Sequence, residues 1–211
     1  MDAHVAPAAS PASPAERRAF SPLDGEAAGA TQGLYALLMA RAAGRGNDDL
    51  YARILVSQAA ARSALPPGIG LESGDFRALM AHHFPGFSLP TPLAHAPGLG
   101  ERSAEWDELH VLLLEYRAGF DEASETWMAT VVATACMGGD HLWQDLGLWA
   151  RADLTRLMAE NFPGLSARNN RDMKWKKFLY KQLCERTGVY VCRSPSCEVC
   201  VDYAKCFGPE D

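Results

Sequence analysis

Five of the six cysteines lie in the last 28 residues, and that crowding limits what the end of this chain can fold into. A disulfide framework normally spreads its cysteines along a short secreted chain. Here the density is local, which points to a site and not to a staple. Cys184, Cys192, Cys197, Cys200 and Cys206 form the crowd, and Cys136 stands alone upstream. The last four are spaced Cys-x4-Cys-x2-Cys-x5-Cys, four thiols within fifteen residues. Such a run suits a loop wrapped around one centre, and Ser194, Pro195 and Ser196 favour the tight turns it needs. Thiolates are soft anionic ligands, matched to iron–sulfur clusters or zinc. Ligation would also order a loop with few apolar side chains. Structural zinc usually takes two Cys-x2-Cys knuckles, and only Cys197 and Cys200 make one here. The opening Cys-x4-Cys-x2-Cys has the spacing of the plant-type iron–sulfur signature. A single cluster loop fits better than paired zinc knuckles; zinc or a redox disulfide are the other readings.

The remainder of the 211 residues reads as a helical bundle. Residues 1–30 hold ten Ala, four Pro and three Ser and are expected to be a disordered lead-in. A helical domain is expected over residues 31–187. Leu34, Leu37, Leu38 and Ala42 begin its periodic pattern, which stops at Gly44 and Gly46. Asn47 is placed to cap a helix carrying Leu50, Ile54 and Leu55. A third helix stops before Pro85, and residues 85–103, with four prolines, read as a linker. Trp106, Leu109 and Leu113 mark the next helix, Asp121 opens another that reaches Cys136, and a further one covers residues 153–161. The last is expected over residues 171–186, ahead of a cysteine-rich tail at 188–211. No stretch shows sustained period-two alternation, so the expected fold is all-α.

An internal repeat shapes that expectation. Residues 75–88, DFRALMAHHFPGFS, match residues 153–166, DLTRLMAENFPGLS, at eight of fourteen positions. With small gaps the likeness extends over residues 48–88 and 124–166, predicting a bundle built on a pseudo-repeat of helix pairs. Cys136 and His141 occur in the second copy, where the first has alanine at or next to Ala60 and Ala64. Shared positions then carry packing, and the differences are candidates for chemistry. Cys136 and His141 become candidate additional metal ligands, with a buried thiol and a helix-start histidine as the plainer alternatives. His82 and His83 read as a helix C-terminus, where cationic side chains suit the dipole.

The whole chain carries a net charge of -6, which argues against a generic nucleic-acid binder. Against that background residues 168–193 hold eight basic and two acidic side chains. Lys174, Lys176, Lys177, Lys181 and Arg193 are the candidates there for docking an anion or an acidic partner. Trp175, Phe178, Leu179 and Leu183 fall on one face of the same helix as a buried stripe. No phosphate-cradling glycine loop, Gly-x-Ser-x-Gly elbow or His-Glu-x-x-His helix is present, so no catalytic residue is assigned. No run approaches about 18 apolar residues and no export signal is visible, so a cytoplasmic protein is expected.

The cysteine spacing together with MKWKKFLYKQLCE from Met173, DYAKCFGPE from Asp202 and HLWQDLGL from His141 resembles the NifQ family of nitrogen-fixation accessory proteins. The resemblance is strong from about residue 141 to 210, weaker over the first repeat and absent from residues 1–30. It implies a molybdenum-handling iron–sulfur protein that supplies molybdenum for the iron–molybdenum cofactor of nitrogenase. It implies Cys192, Cys197, Cys200 and Cys206 as metal ligands; Cys184, eight residues before Cys192, is by its position an additional candidate, or a small apolar residue facing the core. The implied partners are the nitrogenase cofactor scaffold, the nitrogenase iron protein, and molybdate or a molybdenum carrier. Such a chain is a metal carrier more than a turnover enzyme. A ferredoxin-like electron carrier and a zinc-stabilised interaction module are the competing classes.

Overall fold

Helices occupy the stretches where apolar residues recur at helical spacing, in a computed structural model that describes residues 26–87 and 103–187. In chain order they are α1 (Glu26–Met39), α2 (Asp48–Ala59), α3 (Ser73–His83), α4 (Ala104–Glu115), α5 (Glu122–Cys136), α6 (Leu142–Asp145), α7 (Arg151–Asn161), α8 (Pro163–Arg168) and α9 (Trp175–Thr187). A 3-10 turn at Pro67–Gly70 joins α2 to α3. No strand occurs among the described residues, and none of their helices is long and apolar enough to cross a membrane. The linker between 88 and 102, the cysteine-rich tail and the first 25 residues lie outside the described residues.

Three helix starts differ from expectation, α7 by only two residues, at Arg151 against 153. Helix α1 begins at Glu26, inside the stretch expected as lead-in, because alanines at 27, 28 and 30 propagate a helix well. Helix α9 begins at Trp175, four residues late. Asn169 holds the preceding turn instead: its Nδ2 donates to Met173 O and its Oδ1 accepts the Met173 N–H, both at 2.9 Å. Helices α6 and α8 are too short to show a period. Leu37 also departs from its expected stripe and is 60% exposed, while Leu38 is fully buried.

The core joins every long helix. Tyr51, Ile54, Leu79, Leu109, Leu113, Met128, Leu157 and Phe162 are fully buried in it. Helices α4 and α5 form an antiparallel hairpin, and α9 lies along α4. One end of the bundle gathers the starts of α2 and α5 and the ends of α3 and α7 around buried polar side chains. Asn47 Nδ2 donates to Asn161 Oδ1 at 2.7 Å, and Asn161 Nδ2 returns a bond to Asn47 Oδ1 at 2.9 Å. Asn47 stands at the helix start, as expected, but its side chain makes no capping bond and turns inward. It also donates to Ser124 Oγ at 2.9 Å. His83 spans Asp48 and Ser124, with Nδ1 2.7 Å from Asp48 Oδ1 and Nε2 3.0 Å from Ser124 Oγ. Tyr51 adds a bond to Ser124 O at 2.7 Å and stacks obliquely on His83.

Several features occur in pairs. Ala43 N donates to His83 O and Ala118 N to Asn161 O, each at 2.9 Å. Phe84 and Phe162, which follow α3 and α7, share backbone angles of φ -132° and -134°. At the opposite end Gly70 packs on Thr134 of α5, and Gly147 packs on Ser57 of α2.

The close approach at Gly70 generates a prediction. A Cβ there would sit 2.5 Å from Thr134 Oγ1, and φ is +85°. Thr134 is pinned by Trp106 Nε1 at 3.1 Å and by its own bond to Thr130 O at 2.8 Å, so it has no easy retreat. Gly70→Ala is expected to cost about 2–4 kcal/mol in urea denaturation, combining backbone strain with overpacking. Gly74→Ala, which meets nothing within 4 Å, is the near-neutral control.

The polar end generates a second. Burial lowers the His83 pKa against the pull of Asp48, so the side chain is neutral in the fold and not the cationic dipole partner expected from sequence. The unfolded chain binds that proton more readily, with a pKa of about 6.5. Stability is therefore intact above that value and falls as pH drops below it. His83→Asn, the residue found at position 161, is expected to flatten the loss between about pH 7 and 5, measured by denaturation at each pH.

Candidate metal centre and its stem

Cys192, Cys197, Cys200, Cys206 and Arg193 lie outside the described residues. The described part of the candidate centre is its stem, α9, which carries the chain up to residue 187. Its expected apolar stripe is buried: Trp175, Phe178, Leu179 and Leu183 all face the core. Trp175 and Phe178 meet edge to face with ring centroids 5.6 Å apart.

Polar bonds fix the stem at both ends. At its start, Lys176 Nζ donates to Gly138 O at 2.9 Å and to the Asp145 carboxylate. The pair is well enclosed, with only 14% and 4% of the two side chains exposed. Gly138 has no room for a side chain, since a Cβ would lie 2.4 Å from Asp145. At the far end, Arg186 pairs with Glu115 on the last turn of α4, 2.5 Å apart. Arg168 donates to Gln182 at 3.3 Å and lies over the Tyr116 ring, 4.7 Å from its centroid. Helix α9 therefore runs parallel to α4, and the tail departs beside the α4–α5 turn.

The additional ligand candidates are not brought together. Cys136 is the last residue of α5, only 1% exposed, beside Lys176 and Asp145. Burial pushes its thiol up to about 12, outweighing the pull of Lys176, so at neutral pH the free thiol is protonated. His141 is exposed just before α6, and its N–H donates to Gln144 Oε1 at 3.2 Å. Cys184 is half-buried near the other end of α9. The 13 residues of α9 span about 18 Å, so Cys136 sits roughly one helix length from the point where the tail leaves. Among the described residues no group of three or more His, Cys, Asp or Glu is placed to hold a metal ion.

The basic segment divides. Lys176 is turned inward onto Asp145, so it takes no part in an exposed docking face. Lys174 and Lys177 are half-buried, and Lys181 is exposed, 3.7 Å from Glu185.

One arrangement escaped sequence reasoning. Asp48, His83 and Ser124 are linked in the order and through the ring nitrogens of a hydrolytic triad. Here Ser124 is 1% exposed, and its hydroxyl also accepts from Asn47. A nucleophile must reach substrate, so this trio fastens helices and performs no acyl transfer. The three residues come from separate helices at spacings that match no motif, so no local signal marks them.

Comparison with known proteins bears on the tail. A family model described as NifQ matches residues 50–208, a span that includes all four clustered cysteines. A protein described as Protein NifQ from Azotobacter vinelandii is 48% identical over 177 residues, covering 79% of this chain and 90% of its own. Protein NifQ from Rhodobacter capsulatus is 38% identical over 152 residues, covering 72% and 82%. Protein NifQ from Klebsiella pneumoniae is 34% identical over 165 residues, covering 75% and 97%. No solved structure matches the chain.

The state of Cys136 can be read directly. With its thiol buried and held near 12, the residue is expected to resist iodoacetamide at pH 8 in the native protein and to react fully in 6 M guanidinium, read by mass spectrometry. Rapid native labelling would contradict its placement in the core.

Proposed function

The chain belongs to the NifQ family, and from that premise we propose that it is a cytoplasmic molybdenum carrier that holds a molybdenum–iron–sulfur cluster and donates the metal for nitrogenase cofactor assembly. Family membership points to a role in nitrogen fixation. The observation that carries the finer reading is the four-thiol spacing inside the matched region. Four soft anionic donors in fifteen residues have the chemistry to hold iron and sulfide. Such a cluster supplies sulfur ligands at which molybdenum can bind and from which it can leave.

The chain's own residues divide the work. Cys192, Cys197, Cys200 and Cys206 are the assigned ligands, with Cys184, near the end of the stem, as the nearer additional candidate. Cys136 and His141 are less suited by position: one is buried at the end of α5 beside Lys176 and the other lies just before α6, both near the start of α9 and away from the end where the tail begins. Lys174, Lys177, Lys181 and Arg193 supply the positive field that draws in molybdate or meets an acidic partner. The cofactor scaffold and the nitrogenase iron protein are the partners in this reading. The helical body is read as two copies of one unit, a view supported by the paired turns at Ala43 and Ala118 and the crossed glycine contacts at Gly70 and Gly147.

The reading is tested by anaerobic purification followed by iron, acid-labile sulfide, molybdenum and zinc analysis. Iron, sulfide and bound molybdenum are expected, and alanine at any one of the four tail cysteines is expected to lower all three. Zinc alone would overturn the proposal in favour of an interaction module. Iron and sulfide with no molybdenum uptake would favour an electron carrier.

A further inference from the structure

The turn between α4 and α5 holds an aromatic side chain away from the rest of the protein. Phe120 is 93% exposed. Its backbone, in contrast, is tightly held. The N–H groups of Gly119, Phe120 and Asp121 converge on the Glu125 carboxylate at 2.7, 2.9 and 3.0 Å. Glu125 is itself buried. Gly119, with φ of +83°, lets the chain turn so that all three donors face inward. Asp121 caps α5 through the Ser124 N–H at 3.2 Å and is held by His82 at 2.8 Å. Arg117 adds bonds to Leu114 O at 3.1 Å and Thr126 Oγ1 at 2.5 Å.

A single exposed apolar residue ordinarily needs no explanation. This one differs in its support. Burying a carboxylate is costly, and Glu125 is buried where its hydrogen bonds fix the backbone of this turn. The fixed backbone leaves the phenyl ring no route into the core, so it adds nothing to packing. A rigidly presented aromatic is what a binding anchor requires, because little chain entropy is lost when it docks. Location supplies the second argument. Arg186 and Glu115 tie the end of α9 to the end of α4, five residues before Phe120. The anchor and the root of the cysteine-bearing tail therefore share one end of the bundle. Two ion pairs lie nearby, Arg45 with Asp121 and Arg186 with Glu115.

We propose that Phe120 is the docking anchor through which this protein seats on the protein that receives its metal, by inserting into an apolar pocket of that partner. The proposal rests on the metal-donor reading above and adds to it the place where donor and receiver meet. Because the anchor itself is apolar, its contact is only weakly sensitive to salt.

The test uses the full, anaerobically prepared chain, with the nitrogenase cofactor scaffold as the immobilised probe. Binding is measured at low and high salt for wild type, Phe120→Ser and Phe120→Leu. Metal content, thermal midpoint and mass in solution are recorded in parallel. Phe120→Ser is expected to weaken binding about tenfold or more, and Phe120→Leu less, with metal content, thermal midpoint and mass unchanged. Equal binding by wild type and Phe120→Ser, or no binding by wild type, overturns the proposal. So does a wild-type dimer that Phe120→Ser converts to monomer, which would make a second copy the occupant. Affinity that collapses at high salt in all three proteins would assign docking to the basic stem instead. A chain that binds through Phe120 but carries no molybdenum overturns the donor reading and leaves the anchor standing.

Discussion

The reciprocal amide bonds between Asn47 and Asn161 fix the junction on which the rest of the bundle depends. Two amides can satisfy each other in a core only when both backbones hold them face to face. Once they do, the start of α2 and the end of α7 are locked in register. Ser124 joins α5 to the junction and His83 joins α3, so four helices share one buried polar knot. Every member has a partner, which makes such a knot specific: a shifted helix would leave donors or acceptors buried and unmatched. Apolar packing alone would tolerate sliding. The knot does not.

From that junction the order of the fold passes to α9. The knot holds α5, α4 packs antiparallel against α5, and α9 lies along α4. A buried ion pair at Lys176 and a salt bridge at Arg186 fasten the two ends. Replacing such a buried pair by apolar residues can be neutral or stabilising, so its contribution here is positional more than energetic. It fixes which way α9 points and therefore the end at which the cysteine-bearing tail departs. That end also carries the rigid α4–α5 turn.

Much of this was legible in the sequence, for physical reasons that can be named. Asp121 and Ser103 are good N-caps, and α5 and α4 begin directly after them. The Trp175, Phe178, Leu179 and Leu183 stripe predicted which face of α9 would be buried, because period 3.6 is a local property. Asn47 shows where local reasoning ends. Its position at a helix start was readable, but its side chain abandons the cap for a partner 114 residues away. Lys176 is similar: in sequence it is one of several lysines, and only the fold sets Asp145 against it.

Sequence by itself determined the long helices, the thiol spacing and the family, because capping, periodicity and ligand spacing are written within a few residues of one another. Tertiary structure decided which polar groups are used up inside the protein and which remain available. It placed Cys136 in a setting that keeps its thiol protonated, sealed the Asp48–His83–Ser124 trio from solvent and left Phe120 facing outward. The reason is that burial and pairing depend on residues distant in sequence, and they come together only when the chain has folded.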